Sequence, residues 1–214
     1  MPGVEITIPV SGVSLGGELN FPPEAVGLVL FAHGSGSSRH SPRNQYVAQI
    51  LQDAGIGTLL FDLMTAAEEH AEAATRHLRF YIPFLAERLV QATHWALAQH
   101  ATCGPGIGFF GSSTGAAAAL VAAAQLGEVV RAVVSRGGRP DLACDSLERV
   151  SAPTLLVVGG DDTKVISLNE EAYGRLHCEK ALRIVPGASH LFEEPGTLEI
   201  VAKMAAQWFA AHFQ

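Results

Sequence analysis

Residues 108–124 read GFFGSSTGAAAALVAAA: the end of an apolar strand, two serines set between glycines, then a run of small helix-forming residues. Gly111, Ser113 and Gly115 fit the spacing GxSxG, in which the central residue sits on a tight strand-to-helix turn and the glycines let neighbouring backbones close in. The pentapeptide alone is read equally well as a serine-capped helix start, because a serine hydroxyl accepts from the exposed amides of a first turn. Ser113 becomes a candidate nucleophile only if other parts of the chain supply a base and an orienting acid.

Working outward, near-continuous apolar runs rich in β-branched residues and leucine occur at 26–32, 57–63, 106–110, 129–135, 153–158 and 181–186. Such runs fit parallel strands covered on both faces. Helical patterns separate them. Asn44 to Ala54 ends at Gly55, a C-capping residue; Ile82, Leu85, Leu89, Ala92 and Ala96 share one helix face, as do Leu198, Val201, Ala205 and Trp208. The opening segments VEITIPV (4–10) and VSLGGELNF (13–21) alternate with period two about Ser11 and Gly12, as an antiparallel hairpin at a sheet edge would. The expected architecture is therefore a three-layer α/β fold whose mostly parallel, doubly wound sheet begins with an antiparallel hairpin. With 214 residues, 48% of them hydrophobic, the chain can bury one good core, and a single domain over 1–214 is expected.

A net charge of −7 with only three lysines argues against a nucleic-acid surface or an anionic membrane surface as partner. The N-terminal stretch MPGVEITIPVSG lacks the basic segment and apolar core of a secretory signal, and the apolar run at 116–124 is too short to span a bilayer, so a cytoplasmic location is expected. Cys103, Cys144 and Cys178 form no CxxC pair and read as buried or inert thiols; no HExxH occurs, and no metal is expected. The glycine-rich GSGSS at 34–38 fails the dinucleotide pattern, because Arg39 stands where its third glycine belongs, and it lacks the GK[ST] of a nucleotide-phosphate loop. No cofactor is expected.

In open parallel sheets, ligands bind beyond the carboxyl ends of the strands. The segments found there are HGSGSS, DLMT, GSSTG, SRGGRP, GGDDT and PGASH. They offer Ser113, then Asp161 or Asp162, then His190, each just past a different strand. A serine hydroxyl needs a base within hydrogen-bond reach and a carboxylate to orient that base, and these strand ends supply both.

Together FAHGSGSSRHSPRN, FDLMTAAEE, GFFGSSTGAAAAL, SRGGRPDLA, LLVVGGDDTKVISLN and PGASHLFEEPGTLE resemble the dienelactone-hydrolase-like branch of the α/β-hydrolase superfamily, from about Val4 to Phe213. The resemblance implies Ser113 as nucleophile, His190 as base and an acid within GGDDT; the family pattern VGGxDxxV favours Asp162, with Asp161 as its rival. It also implies an oxyanion site made by the backbone amides of Ser35 and Thr114. Dienelactone hydrolases proper use a cysteine nucleophile where this chain has Ser113, which argues against dienelactone as substrate. Some similar proteins are joined to phosphoribosyltransferase domains, so the resemblance supplies a chemistry rather than a substrate.

The interval from Ser113 to Asp162 is largely used up by a helix, two strands and a short turn or helix, which leaves little room for a lid and implies an open site. Arg39, Arg43, Arg76, Arg79, Arg136 and Arg139 stand in the strand-end loops, where they could grip an anionic group or be paired by Asp62, Asp141 or Asp145. Arg136, with His33 and Gly34, is the leading candidate for substrate contact. The reading is a serine esterase or thioesterase acting on a small acyl substrate, as a monomer or homodimer. The alternatives are an acyltransferase or perhydrolase with the same triad, or a non-catalytic binding module on the same scaffold.

Overall fold

In a computed structural model of the chain, which describes residues 3–75, 77–99, 102, 104 and 106–213, the apolar runs become the strands of one eight-stranded sheet. The strands are β1 (Val4–Val10), β2 (Val13–Asn20), β3 (Gly27–Ala32), β4 (Gly57–Phe61), β5 (Gly106–Ser112), β6 (Val130–Arg136), β7 (Thr154–Gly159) and β8 (Lys180–Val185). Their spatial order is β1-β2-β4-β3-β5-β6-β7-β8. β1 and β2 form the expected hairpin, turning at Ser11 and Gly12, both at positive φ; β2 lies antiparallel to β4, and every later pairing is parallel.

The helices are α1 (Pro42–Asp53), α2 (Ala66–Thr75), α3 (Ile82–Ala98), α4 (Thr114–Leu126), α5 (Thr163–Arg175) and α6 (Thr197–His212). Apolar periodicity does not single out α2, yet its start is written in the sequence as a capping box. The Glu68 amide donates to Thr65 Oγ1 while the Thr65 amide donates to Glu68 Oε2.

Alternation along the strands sorts side chains into two cores. Leu28, Leu30, Phe109 and Val133 pack with α3 and α4 on one face; Val29, Phe31, Phe110, Ala132 and Val134 pack with α1 and α6 on the other. Both faces of the central strands are thereby covered, which is why their sequences read as unbroken apolar runs.

From β3 the chain goes to β4 on one side, then returns past β3 to β5 on the other. The order thus reverses between β3 and β5, and the crevice at their carboxyl ends is where this architecture binds ligands. Between α4 and α5 the chain supplies only a 3-10 turn at Gly127–Val129, β6, a 3-10 segment at Pro140–Arg149 and β7, with no room for a lid domain. Among the described residues no helix is long and apolar enough to cross a membrane.

Cys178 is half-buried, and burial pushes its thiol pKa up, but Cys144 is exposed. Cys103 and Arg76 lie outside the described residues.

Phe209 of α6 is fully buried in the second core and lies over Gly108 of β5, where a Cβ would collide with its ring. Phe209→Ala should lower the unfolding free energy by about 3–5 kcal/mol, read as a shift of the urea midpoint without a change of fold.

Candidate active site

Ser113 connects β5 to α4 with φ 50° and ψ −123°, a conformation that side-chain-bearing residues seldom adopt. The flanking glycines permit it. A Cβ on Gly115 would run into the carbonyl oxygens of Ala32 and His33 at the end of β3, and one on Gly111 would meet the backbone of Ala116. Although Ser113 stands in the N-cap position, its side chain makes no capping hydrogen bond. The serine-cap reading therefore fails, and Ser113 stands half-buried just past the carboxyl end of β5.

His190 follows β8 and Asp162 follows β7. His190 Nδ1 lies 2.6 Å from Asp162 Oδ2. Asp162 occupies the N-cap position of α5 yet makes no cap bond, so its carboxylate serves the imidazole instead. Asp161 is exposed, and its amide donates to Ala188 O, joining the turn after β7 to the turn after β8. Between the two expected carboxylates, Asp162 is the one that meets the histidine.

The turn after β6 connects Ser113 to His190. The Ser113 amide donates to Arg136 O at 3.4 Å, the Arg139 amide donates to Ser113 O at 3.0 Å, and Gly137 (φ 50°) lies against the backbone and ring of His190. Among the described residues no hydrogen bond joins Ser113 Oγ to His190; such bonds often form only when substrate arrives.

The residues expected to make the oxyanion site meet one another. The Ser35 amide donates to Thr114 Oγ1 at 3.1 Å, and the two hydroxyls are 3.0 Å apart. Ser35 Oγ also lies 3.0 Å from Arg79 O, which can only accept. Ser35 has one hydroxyl proton, so it goes to Arg79 O, and the Thr114 hydroxyl must donate to Ser35 Oγ. The helix start, the segment after β3 and the 78–80 turn are thereby connected by one directed chain. Gly34 packs against Ser113, where a Cβ would come within 3.0 Å of the serine Cβ.

His33, expected to touch substrate, is spent on the scaffold. It is buried, its Nδ1 lies 3.0 Å from Gly34 O, and its Nε2 accepts from the Leu63 amide at 3.0 Å. A carbonyl only accepts and an amide only donates, so the neutral tautomer with the proton on Nδ1 is the one that satisfies both. Burial lowers the His33 pKa accordingly.

Three of the six candidate arginines have carboxylate partners among the described residues. Arg39 is held by Asp62, with Glu5 nearby, and Arg139 grips Asp141 through two bonds of 2.8 and 2.7 Å. Arg43 touches Glu193 at 3.2 Å on the surface. Ser35, His40, Arg43, Asp62 and Glu69 border a cleft of about 740 Å³ beside the oxyanion segment. Arg136, at the end of β6, is buried with no carboxylate partner among the described residues, and burial reinforced by the charge of Arg43 lowers its pKa to about 10, so it remains a cation at neutral pH.

Two supporting residues carry no signal in the sequence. Asn169, fully buried on α5, donates to Gly138 O at 3.0 Å and fixes the turn that lies against His190. Glu194 accepts from the Ser189 amide at 2.9 Å, and that bond holds its carboxyl below the usual range. Among the described residues no group of three or more His, Cys, Asp or Glu is placed to hold a metal ion.

Comparison with known proteins gives one family and one fold. The model of the dienelactone hydrolase family matches residues 45–214. The crystal structure of a dienelactone hydrolase from Anabaena variabilis is 55% identical, with a TM-score of 0.97 and coverage of 99% of this chain and 98% of that one. Est1E from Butyrivibrio proteoclasticus shares the fold at 16% identity, with a TM-score of 0.80 and 98% of each chain covered. Two Mycobacterium tuberculosis proteins, provisionally named phosphoribosyl transferases, are 54% identical over 208 residues. That match takes in 97% of this chain but 46% of each relative, so the chain spans about half the length of these curated relatives.

The lowered pKa of His33 gives a stability test. Below about pH 6.5 the unfolded chain binds a proton that folded His33 refuses, so stability falls as pH drops from there toward the folded pKa and is unaffected above it. Urea unfolding at about pH 7.5 and 5.5 should show a smaller acid loss in His33→Gln than in the wild type, the difference being at most about 1.4 kcal/mol per pH unit.

Proposed function

Since the chain belongs to the dienelactone hydrolase family, we propose that it is a serine hydrolase cleaving a carboxylic ester or thioester of a small molecule through an acyl-enzyme on Ser113. The reading rests above all on the His190–Asp162 pairing beside a serine that is held at positive φ and spent on no cap.

With Nδ1 bonded to Asp162, Nε2 of His190 carries the lone pair that accepts the Ser113 Oγ proton. The serine oxygen attacks the carbonyl carbon. Charge developing on the carbonyl oxygen meets the Thr114 amide at the positive end of α4 and the Ser35 amide, whose bond to Thr114 Oγ1 is then shared with the oxyanion. As the tetrahedral species collapses, the bond to the leaving oxygen or sulfur breaks and His190 returns the proton to it. Water then attacks the acyl-serine and gives a proton to His190, which passes to Ser113 as the acid is released. A serine where dienelactone hydrolases proper carry cysteine favours esters other than dienelactone. We assign the transferase in the name of the Mycobacterium relatives to the part of those proteins that this chain does not cover.

A fluorophosphonate probe should label the wild type at Ser113, and Ser113→Ala should remove labelling and reduce hydrolysis of 4-nitrophenyl acetate by about 10⁴-fold or more. A folded Ser113→Ala protein that still turned over the ester at the wild-type rate would sink the assignment. Asp162→Asn should lower turnover by about 10⁴-fold through loss of the correct imidazole tautomer, while Asp161→Asn should leave it near the wild-type value.

A further inference from the structure

Thr114 is the first residue of α4, and its amide is one of the two donors assigned to the oxyanion. Only 3% of the residue is exposed, and its hydroxyl meets Ser35, whose amide is the other donor. One side chain of this centre therefore belongs to the residue that carries one donor and touches the residue that carries the second.

The Ser35 amide lies in a segment that hydrogen bonds must orient, because Gly34 precedes it and Gly36 follows at φ 70°. At the carbonyl end of the Gly34–Ser35 peptide, Gly34 O accepts from the Ser37 amide at 3.1 Å and from His33 Nδ1 at 3.0 Å. A planar trans peptide directs its carbonyl and its amide to opposite sides, and at the amide end the partner is Thr114 Oγ1 at 3.1 Å. That acceptor is itself fixed. Ser35 Oγ gives its proton to Arg79 O, so the Thr114 proton goes to Ser35 Oγ and a lone pair of Thr114 Oγ1 is left for the Ser35 amide. The helix start that carries Thr114 is pinned in turn, because Gly115 sits on the carbonyls of Ala32 and His33.

A donor already aimed when charge develops needs no reorganisation, and oxyanion stabilisation owes its size to that. We propose that Thr114 acts through its hydroxyl as a positioning residue, holding the Ser35 amide at the distance and angle from the Thr114 amide that the oxyanion requires. This rests on the serine hydrolase reading above. As the carbonyl oxygen gains charge it becomes a stronger acceptor than the hydroxyl, and the Ser35 amide passes to it. The benefit therefore falls on the transition state and leaves the binding of the neutral ester almost untouched.

The test measures kcat and KM for 4-nitrophenyl acetate and the affinity for trifluoroacetone, whose adduct with a serine carries a tetrahedral oxyanion. Thr114→Val keeps the backbone amide and nearly the same shape while removing the hydroxyl. It should lower kcat by about 10- to 100-fold, leave KM within about twofold and weaken the ketone by the same factor as kcat. Thr114→Ser, which keeps the hydroxyl, should restore kcat to within about threefold of the wild type. Ser35→Ala spares its own amide but breaks the chain from Thr114 to Arg79 O, and should lower kcat by about threefold to tenfold. Combined with Thr114→Val it should cost little more than Thr114→Val alone, because the two hydroxyls act as one unit. A folded Thr114→Val with the wild-type kcat, or with only its KM changed, would overturn the proposal. So would a Thr114→Ser as impaired as Thr114→Val, since packing and not the hydroxyl would then be responsible. If Thr114→Val does not fold, Ser35→Ala decides: a lowered kcat at unchanged KM upholds the proposal and a wild-type kcat overturns it. Each of these overturning results leaves the hydrolase reading standing as long as turnover depends on Ser113. Ester turnover unaffected by Ser113→Ala would remove that reading and the role of Thr114 with it.

Discussion

The close approach between the start of α4 and the end of β3 is the constraint on which the site depends. Gly115 lies directly on the carbonyls of Ala32 and His33, so the helix begins where the neighbouring strand stops. Ser113 can take its left-handed conformation only because Gly111 and Gly115 leave room for it. The alanines of α4 extend the same logic. Residues 116–119, 122 and 123 are fully buried with single-carbon side chains, which lets the helix pack close to the sheet and to α3.

From that point the rest of the geometry is a matter of neighbouring strands. β7 and β8 are parallel partners, and the turns leaving them are bonded through Gly160 N to Val185 O and Asp161 N to Ala188 O. This brings Asp162 to His190 without any contribution from helix capping. Asn169 and Glu194 then immobilise the turns on either side of the imidazole. Histidine orientation is thus maintained by second partners as much as by the carboxylate.

The strand ends, the GSSTG turn and the position of His190 beyond the last strand were legible in the sequence because each is a local pattern: an apolar run followed by a short segment of polar and small residues. Asp161 and Asp162 could not be separated by such a pattern, because two adjacent residues share every local signal and differ only in where the turn directs them. His33 illustrates the opposite failure. Its position at a strand end made it a candidate for substrate contact, yet Gly34 O and the Leu63 amide take both of its nitrogens. Asn169 and the chain from Thr114 through Ser35 to Arg79 join residues far apart in sequence, and no periodicity records them. Nor does counting charges tell which arginine is neutralised: Arg139 has its partner two residues away, while Arg136 has none.

The outer strands deal with a different problem, that of keeping the sheet at eight strands. β1 and β8 each present one unpaired side, the kind of template along which a further chain can add and aggregate. β1 puts Pro9 on that edge, a residue with no amide proton to offer a growing ladder, and also carries the exposed Glu5. β8 exposes Arg183 beside Ile184, so a charge stands next to the most adhesive side chain of that margin. The apolar runs that make the interior strands so readable would be hazardous at either border, and the composition changes at both.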